Sequence, residues 1–285
     1  MSLMLILMIH IVLFYPLTSA NAASDNVTFK IINGFSCNIK ETPYQVSLRY
    51  AYRERKRWGS GHYCGGTIVS NRAIITAAHC LRGRRHKKEV VVVVGNTFLD
   101  DRSATTKELE ILSWRVHQKY TKPLNDIALI FTVEHIQPIS GAIEILPLNT
   151  REVDVGTRCL VSGWGQANHF VPDRTNDLRA QWIQIVSPKI CRKLYRIPKV
   201  ICAGDESTTG PSFGDSGGPL RCEDKLSGIV SVGRLEGGPT AYTSIRDLYP
   251  WIRRELSSFN GAPPMRPSCI QRQVVLAITI YMVTK

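Results

Sequence analysis

Ser216 lies in the hexapeptide GDSGGP, His79 in ITAAHC and Asp126 in NDIALI. A serine hydroxyl is a poor nucleophile at neutral pH. It needs a base within hydrogen-bond reach and a carboxylate that orients the base. Gly214, Gly217 and Gly218 leave room for a substrate carbonyl beside the serine. They also permit a tight turn that aims backbone N–H groups at a developing oxyanion. Of the seven histidines, only His79 follows a small-residue run that closes an apolar strand. Asp126 stands just before a strand-like apolar run. A single histidine is usually structural, and a single Asp before a strand is usually a turn residue. GDSGGP is far rarer by chance, and the three in the order His, Asp, Ser make a specific set for attack on a carbonyl carbon.

The elements that must position these residues are mostly strands. YQVSLRY, GGTIVSNRAIITAAHC, EVVVVVG, DIALIF, RCLVSGWG, WIQIVS and LSGIVSVG are short, β-branched runs with turn residues between them. Helical periodicity shows mainly at the end, where LYPWIRREL puts Leu248, Trp251, Ile252 and Leu256 on one face. The pattern predicts an all-β barrel or sandwich. At 285 residues and 44% hydrophobic, the chain has ample core for one large domain or two smaller ones.

The ends differ from the body. Residues 3–17 form an apolar run followed by TSANAA, the pattern of a secretory signal cut after Ala22. The alternative is an uncleaved anchor, for which the run is short against a span of ~20 residues. Eight cysteines in an exported chain point to disulfides. The tail begins FNGAPPMRPSCIQRQ and ends in an apolar run over residues 274–283. Either it is a GPI-attachment signal, with small residues at Asn260, Gly261 and Ala262, or it is a disordered or surface-packed extension.

The chain resembles the chymotrypsin-like (trypsin-like) serine proteases from Ile31 to Leu256. The matching segments, in family order, are IINGF, PYQVSL, CGGTIVSNRAIITAAHC, NDIALI, CLVSGWG, VICAG, GDSGGPL, GIVSVG and YPWI. The resemblance implies two six-stranded antiparallel β-barrels with a C-terminal helix and a catalytic cleft between the barrels. It implies Ser216 as nucleophile, His79 as general base and acid, and Asp126 orienting His79, with Ser231 supporting Asp126. The N–H groups of Gly214 and Ser216 would form the oxyanion hole. Cleavage after Lys30 would free the α-amino group of Ile31, which in the family is buried against the residue here numbered Asp215. The expected organisation is a signal at 1–22, an activation segment at 23–30, a protease domain at 31–258 and a tail at 259–285. The sequon at Asn26 falls in the activation segment. Implied disulfides are Cys64–Cys80, Cys159–Cys222 and Cys191–Cys202. The family partner of Cys37 would fall at or near Gln181, so Cys37 pairs with Cys269, pairs between chains, or is free.

The pocket departs from the family. Its floor, six residues before the nucleophile, is Gly210, which offers no carboxylate to a Lys or Arg side chain. Asp205 and Glu206 are close in sequence but poorly placed for the floor. Ser212 stands where a family cysteine is expected, and its partner segment also lacks one. Gly233 leaves wall space, while Thr240 shortens the pocket. Val232 replaces the tryptophan that lines the neighbouring subsite. The expected preference is for small or medium apolar side chains in a protein or peptide substrate. Such an enzyme would not cut efficiently after its own Lys30, so the expected activator is another, trypsin-like protease. The competing reading is a catalytically silent homologue that binds a partner through the same fold.

Net charge is +13, from 36 basic and 23 acidic residues. Between Arg49 and Lys88 eleven basic residues face only Glu54. RERKRW and RGRRHKK, in loops 49–57 and 82–88, are either a solvated charged face or an exosite for a polyanion or an acidic protein. Nucleic acid is not expected of an exported chain. No cofactor or metal is expected: Asn96 stands where a calcium-binding relative carries an acid. A monomer is expected.

Overall fold

The structure is a computed structural model that describes residues 34–84, 86–166, 176–205, 210–233 and 237–260. The expected signal, Asn26, Lys30, Ile31, Arg85, Glu206 and the tail with Cys269 lie outside the described residues.

Two antiparallel sheets carry the fold. After β1 (Phe35–Ser36), the first is built from β2 (Gln45–Tyr50), β3 (His62–Ser70), β4 (Ala73–Thr76), β5 (Val90–Val94), β6 (Lys107–Leu109), β7 (Ile111–Val116) and β8 (Ala128–Thr132). Its strand order is β6-β5-β2-β3-β4-β8-β7. The two end strands, β6 and β7, are separated in the chain by Glu110 alone, so the sheet curls back on itself. The second sheet uses β9 (Arg158–Gly163), β10 (Arg179–Val186), β11 (Val200–Ala203), β12 (Pro219–Cys222), β13 (Lys225–Val232) and β14 (Thr240–Ser244). Its order is β1-β10-β11-β14-β13-β12-β9, and a further β10–β9 ladder closes it into a barrel. The chymotrypsin-like architecture is therefore present, with two additions to the expected six strands per barrel. β1 adds to β10 as an edge, and one first-barrel strand is broken into β6 and β7.

Local chemistry explains the strands. β5 is five valines, whose branched side chains suit a pleated surface. β4 and β8 are buried along their whole length, as central strands covered on both faces must be. β10 alternates, with Ile183 and Ile185 buried and Trp182 exposed. Among the described residues four α-helices complete the fold: α1 (Ala51–Glu54), α2 (Ala78–Leu81), α3 (Pro188–Tyr195) and α4 (Ile245–Asn260).

α4 follows β14 of the second barrel but packs on the first. The predicted face is the buried one: Leu248, Trp251 and Ile252 are in the core and Leu256 packs against it. Trp251 Nε1 donates to Gln118 Oε1 at 2.8 Å, and Phe259 stacks on Phe131 at 4.1 Å between ring centroids. The helix thus ties the two barrels into one unit whose cleft carries the candidate residues.

Candidate active site

His79 and Asp126 come from the first barrel, and Ser216 and Ser231 from the second. β4 ends at Thr76, and the chain turns at once into α2, which presents His79 at its start. Asp126 lies just before β8, beside β4 in the sheet. Its carboxylate grips His79 twice: His79 N–H donates to Oδ1 at 2.9 Å, and His79 Nδ1 meets Oδ2 at 2.8 Å. Asp126 is 2% exposed, so this carboxylate is used and not solvated. The second barrel completes its coordination. Ser231 Oγ donates to Oδ2 at 2.7 Å, and Thr243 Oγ1 donates to the Asp126 carbonyl at 3.0 Å. Nδ1 of His79 therefore carries a proton toward Asp126, and Nε2 is left to accept one. The His79 side chain is 27% exposed and open to the cleft.

Ser216 precedes β12 in a turn pressed against the histidine segment. Gly65 N–H donates to the Ser216 carbonyl at 2.8 Å, and Cys80 Sγ lies 3.6 Å from the same oxygen. Gly217, at φ +80, would place a Cβ into Thr76, Gly65 and Ala77 if it had one. Only glycine lets the serine turn approach β3 and β4 this closely.

Gly214 is held from both sides. Its φ is +107, a conformation glycine adopts freely. Gln166 N–H donates to the Phe213 carbonyl at 2.8 Å, which turns the Gly214 N–H the opposite way across a trans peptide. The Gly214 carbonyl meets His62 Nε2 at 3.1 Å. Asp215 is fully buried. Its carboxylate accepts Gly165 N–H and Ser212 N–H, each at 2.8 Å. Burial pushes this carboxyl up to about 6, against the two N–H donors that pull it down.

The three expected pocket residues converge. A Cβ on Gly233 would lie 3.2 Å from Thr240 Oγ1, and one on Gly210 would lie 3.8 Å from it. Thr240 is 6% exposed and buries its side chain between the two glycines. Asp205 is exposed.

The disulfides Cys64–Cys80, Cys159–Cys222 and Cys191–Cys202 are all formed. Cys37 is a buried free cysteine whose thiol is pushed up to about 11 by burial. Its N–H bonds Leu178 O, one strand-edge away from Gln181, where no sulfur waits. Cys64, His79 and Cys80 group closely enough to suggest a metal site among the described residues. Both sulfurs are in one disulfide and His79 faces Asp126, so the grouping offers no ligand set.

One expectation is corrected. Arg49 does not belong to the basic surface. It is fully buried on β2, and its Nη1 pairs with Glu54 Oε2 at 3.3 Å. Sequence alone places an arginine beside RERKRW on the outside. The side chain turns inward because Glu54, at the end of α1, supplies the compensating charge. Arg55, Lys56, Arg57, Arg82, Lys87 and Lys88 are exposed as expected.

Comparison with known proteins agrees with this geometry. The trypsin family model, described as "Trypsin", matches residues 31–252. Trypsin I-P1 of Gallus gallus is 31% identical over 259 residues, covering 87% of this chain and 98% of its own. Chymase of Papio hamadryas is 29% identical over 262 residues, covering 90% of this chain and 100% of its own. A solved structure described as "atomic resolution structure of HBP" superposes with a TM-score of 0.69 at 26% identity, covering 82% of this chain and 99% of that one.

Proposed function

We propose that the chain, which belongs to the trypsin family of serine proteases, is a secreted endopeptidase made as a zymogen. The observation that carries this reading is the line Ser231–Asp126–His79 beside the Ser216 turn, with hydrogen bonds of 2.7 Å and 2.8 Å. In the proposed reaction His79 Nε2 takes the Ser216 proton as Oγ attacks the scissile carbonyl. The Gly214 and Ser216 N–H groups receive the oxyanion, and the imidazolium returns its proton to the leaving amine. Asp126 holds the imidazole in the tautomer this requires and stabilises the imidazolium. Water then repeats the sequence on the acyl-enzyme.

Activation by cleavage after Lys30 is supported by Asp215. A fully buried carboxylate that meets two N–H donors and no cation among the described residues is short of a compensating charge. The new ammonium of Ile31 is the proposed cation. The substrate preference is for small or medium apolar side chains, because Gly210 brings no charge and Thr240 fills the pocket base. A protease of that preference needs a separate, trypsin-like activator. We also propose that the basic loops bind a polyanion. They border a cleft of about 770 Å³ lined by Arg55, Lys87, Lys88 and Arg102 around Trp58, though Glu108 and Glu110 temper its charge. Secretion rests on the apolar N-terminal run; among the described residues no helix is long and apolar enough to cross a membrane.

The deciding experiment is labelling with a fluorophosphonate probe after a trypsin-like protease has cut at Lys30. Labelling of the cut chain that disappears in Ser216→Ala is expected. No labelling of the cut, folded chain would favour a silent binding protein instead.

A further inference from the structure

Two arginines of the basic loops, Arg53 and Arg84, do not line the cleft that holds Lys87 and Lys88. Both lie on tyrosine rings instead. The Arg84 guanidinium carbon is 4.7 Å from the centre of the Tyr50 ring and 5.2 Å from that of Tyr63. The Arg53 guanidinium carbon is 5.5 Å from the Tyr50 ring and 5.7 Å from the Tyr52 ring. Tyr50 and Tyr63 stack with centroids 4.3 Å apart, and Tyr52 lies 5.6 Å from Tyr50. The rings form a strip in the order Tyr52, Tyr50, Tyr63, with Arg53 on the first two and Arg84 on the last two.

Arg84 is held in place, yet most of its donors are unspent. A guanidinium has five N–H donors. Its Nη2 donates to Tyr50 Oη at 3.0 Å, and its buried Nε–H meets no acceptor among the described residues. No carboxylate among the described residues pairs with it. Glu89, the acid of the same loop, turns its carboxylate to the His86 N–H at 3.1 Å. A half-buried guanidinium held on two rings has little side-chain entropy left to lose on binding an anion.

The strip lies where the leaving half of a substrate must pass. In the proposed reaction His79 gives its proton to the leaving amine, so that amine sits on the first-barrel side of Ser216. The acyl side chain points the other way, to Gly210, Gly233 and Thr240 of the second barrel. On the first-barrel side Ser216 is bordered by Gly65 and by the Cys64–Cys80 disulfide. Tyr63 is two residues from Gly65 along β3, and Arg84 is four residues past Cys80. A strand advances about 3.3 Å per residue, so Tyr63 stands about 7 Å along from Gly65. Two residues of an extended leaving peptide cover that distance. Arg82, by contrast, lies over Tyr120 at 5.4 Å, on the Asp126 side of the imidazole.

We propose that Arg84, braced by Tyr50 and Tyr63, selects an acidic side chain at the second residue after the scissile bond. The substrate carboxylate accepts from the guanidinium donors that Tyr50 leaves over, and Arg53 adds a second positive charge further along the strip. The inference rests on the proposed reading of Ser216 and His79 as a working catalytic pair. As a mere staple for loop 82–88, Arg84 would affect every substrate alike.

The test uses the full chain cut after Lys30 and a pair of quenched fluorescent peptides. They differ only in Glu or Gln two residues past the cleaved bond, which mass spectrometry identifies. An anilide of the same acyl half carries no residue beyond the cleaved bond, so its turnover normalises for active enzyme. The wild type should favour Glu by about 3- to 10-fold in kcat/KM, between an exposed ion pair and a buried charge-assisted hydrogen bond. The preference should shrink as salt is added. It should fall to near one in Arg84→Gln, persist in part in Arg84→Lys, and keep its wild-type value in Arg82→Gln. A ratio near one in a wild type that cleaves the anilide would overturn the subsite and leave the protease reading standing. A preference that survives Arg84→Gln, with equal losses on all three substrates, would make Arg84 a structural staple and also overturn it. A wild type that cleaves neither peptide nor anilide would overturn the protease reading and the subsite with it.

Discussion

In the proposed reading Thr240 is the side chain that sets what the cleft accepts. It lies against Gly210 and Gly233, the two glycines proposed to line the specificity pocket. Replacing it with glycine removes three heavy atoms from the pocket base without adding charge. Pocket discrimination is worth roughly 1–3 kcal/mol per missing or extra methylene. In Thr240→Gly, kcat/KM for peptides with Phe or Leu at the cleaved residue should rise relative to Ala by about 10-fold or more. Lys should gain little, because no carboxylate is introduced. Peptide-library profiling of the activated variant measures both ratios. An unchanged ratio would remove Thr240 from the pocket. Ser216 was legible in the sequence because GDSGGP is a rare string with a chemical reason, His79 and Asp126 because they stand in order with it, and Gly210 only through its spacing from Ser216 in the resembled family. Arg49 was not. Its burial depends on a carboxylate in the following helical turn, a relation that does not follow from spacing.

At the scale of elements, the proposed site is assembled by interlocking turns from two barrels. Gly217 sits at the contact: its N–H bonds the Val230 carbonyl of β13, while its Cα faces β3 and β4. Gly217→Ala would combine a left-handed φ of +80 with a collision against backbone atoms of Gly65 and Ala77. A non-glycine residue in that region costs about 1–3 kcal/mol, and the collision adds to it. Thermal unfolding should show a loss of about 3 kcal/mol or more, and activity should fall further than the folded fraction does, because the Ser216 turn must move. Activity that simply tracks the folded fraction would show that the turn tolerates the shift. The main strands were visible as short β-branched runs between turn residues, and the amphipathic face of α4 as a 3.6-residue period. α3 was overlooked, although Ser187 followed by Pro188 at its first turn is a usable start signal. β1, β6, β11 and β14 span only two to five residues and take their structure from their ladder partners.

For the molecule as a whole, charge and processing decide behaviour. Arg55, Lys87 and Lys88, from the two loops, border one cleft, so under the polyanion proposal heparin retention should fall steeply with salt and drop on neutralising these three. Retention that survives the triple substitution would place any polyanion elsewhere. Processing is read through Asp215. In the uncut chain its carboxyl titrates near 6 in the folded state against 3.8 for the free group. The folded state then holds the proton longer than the unfolded chain does. Stability from this group is complete below pH 4 and is lost as pH rises through 6, by about 3 kcal/mol in all. After cleavage at Lys30, pairing with the Ile31 ammonium should cancel that loss until the ammonium itself deprotonates near pH ~8. The melting temperatures of cut and uncut Ser216→Ala protein should therefore lie close together at pH 4 and separate by pH 7, with the cut form higher. The serine variant prevents self-digestion without touching the pair. A gap that stays constant between pH 4 and 7 would mean that Asp215 does not receive the new N-terminus.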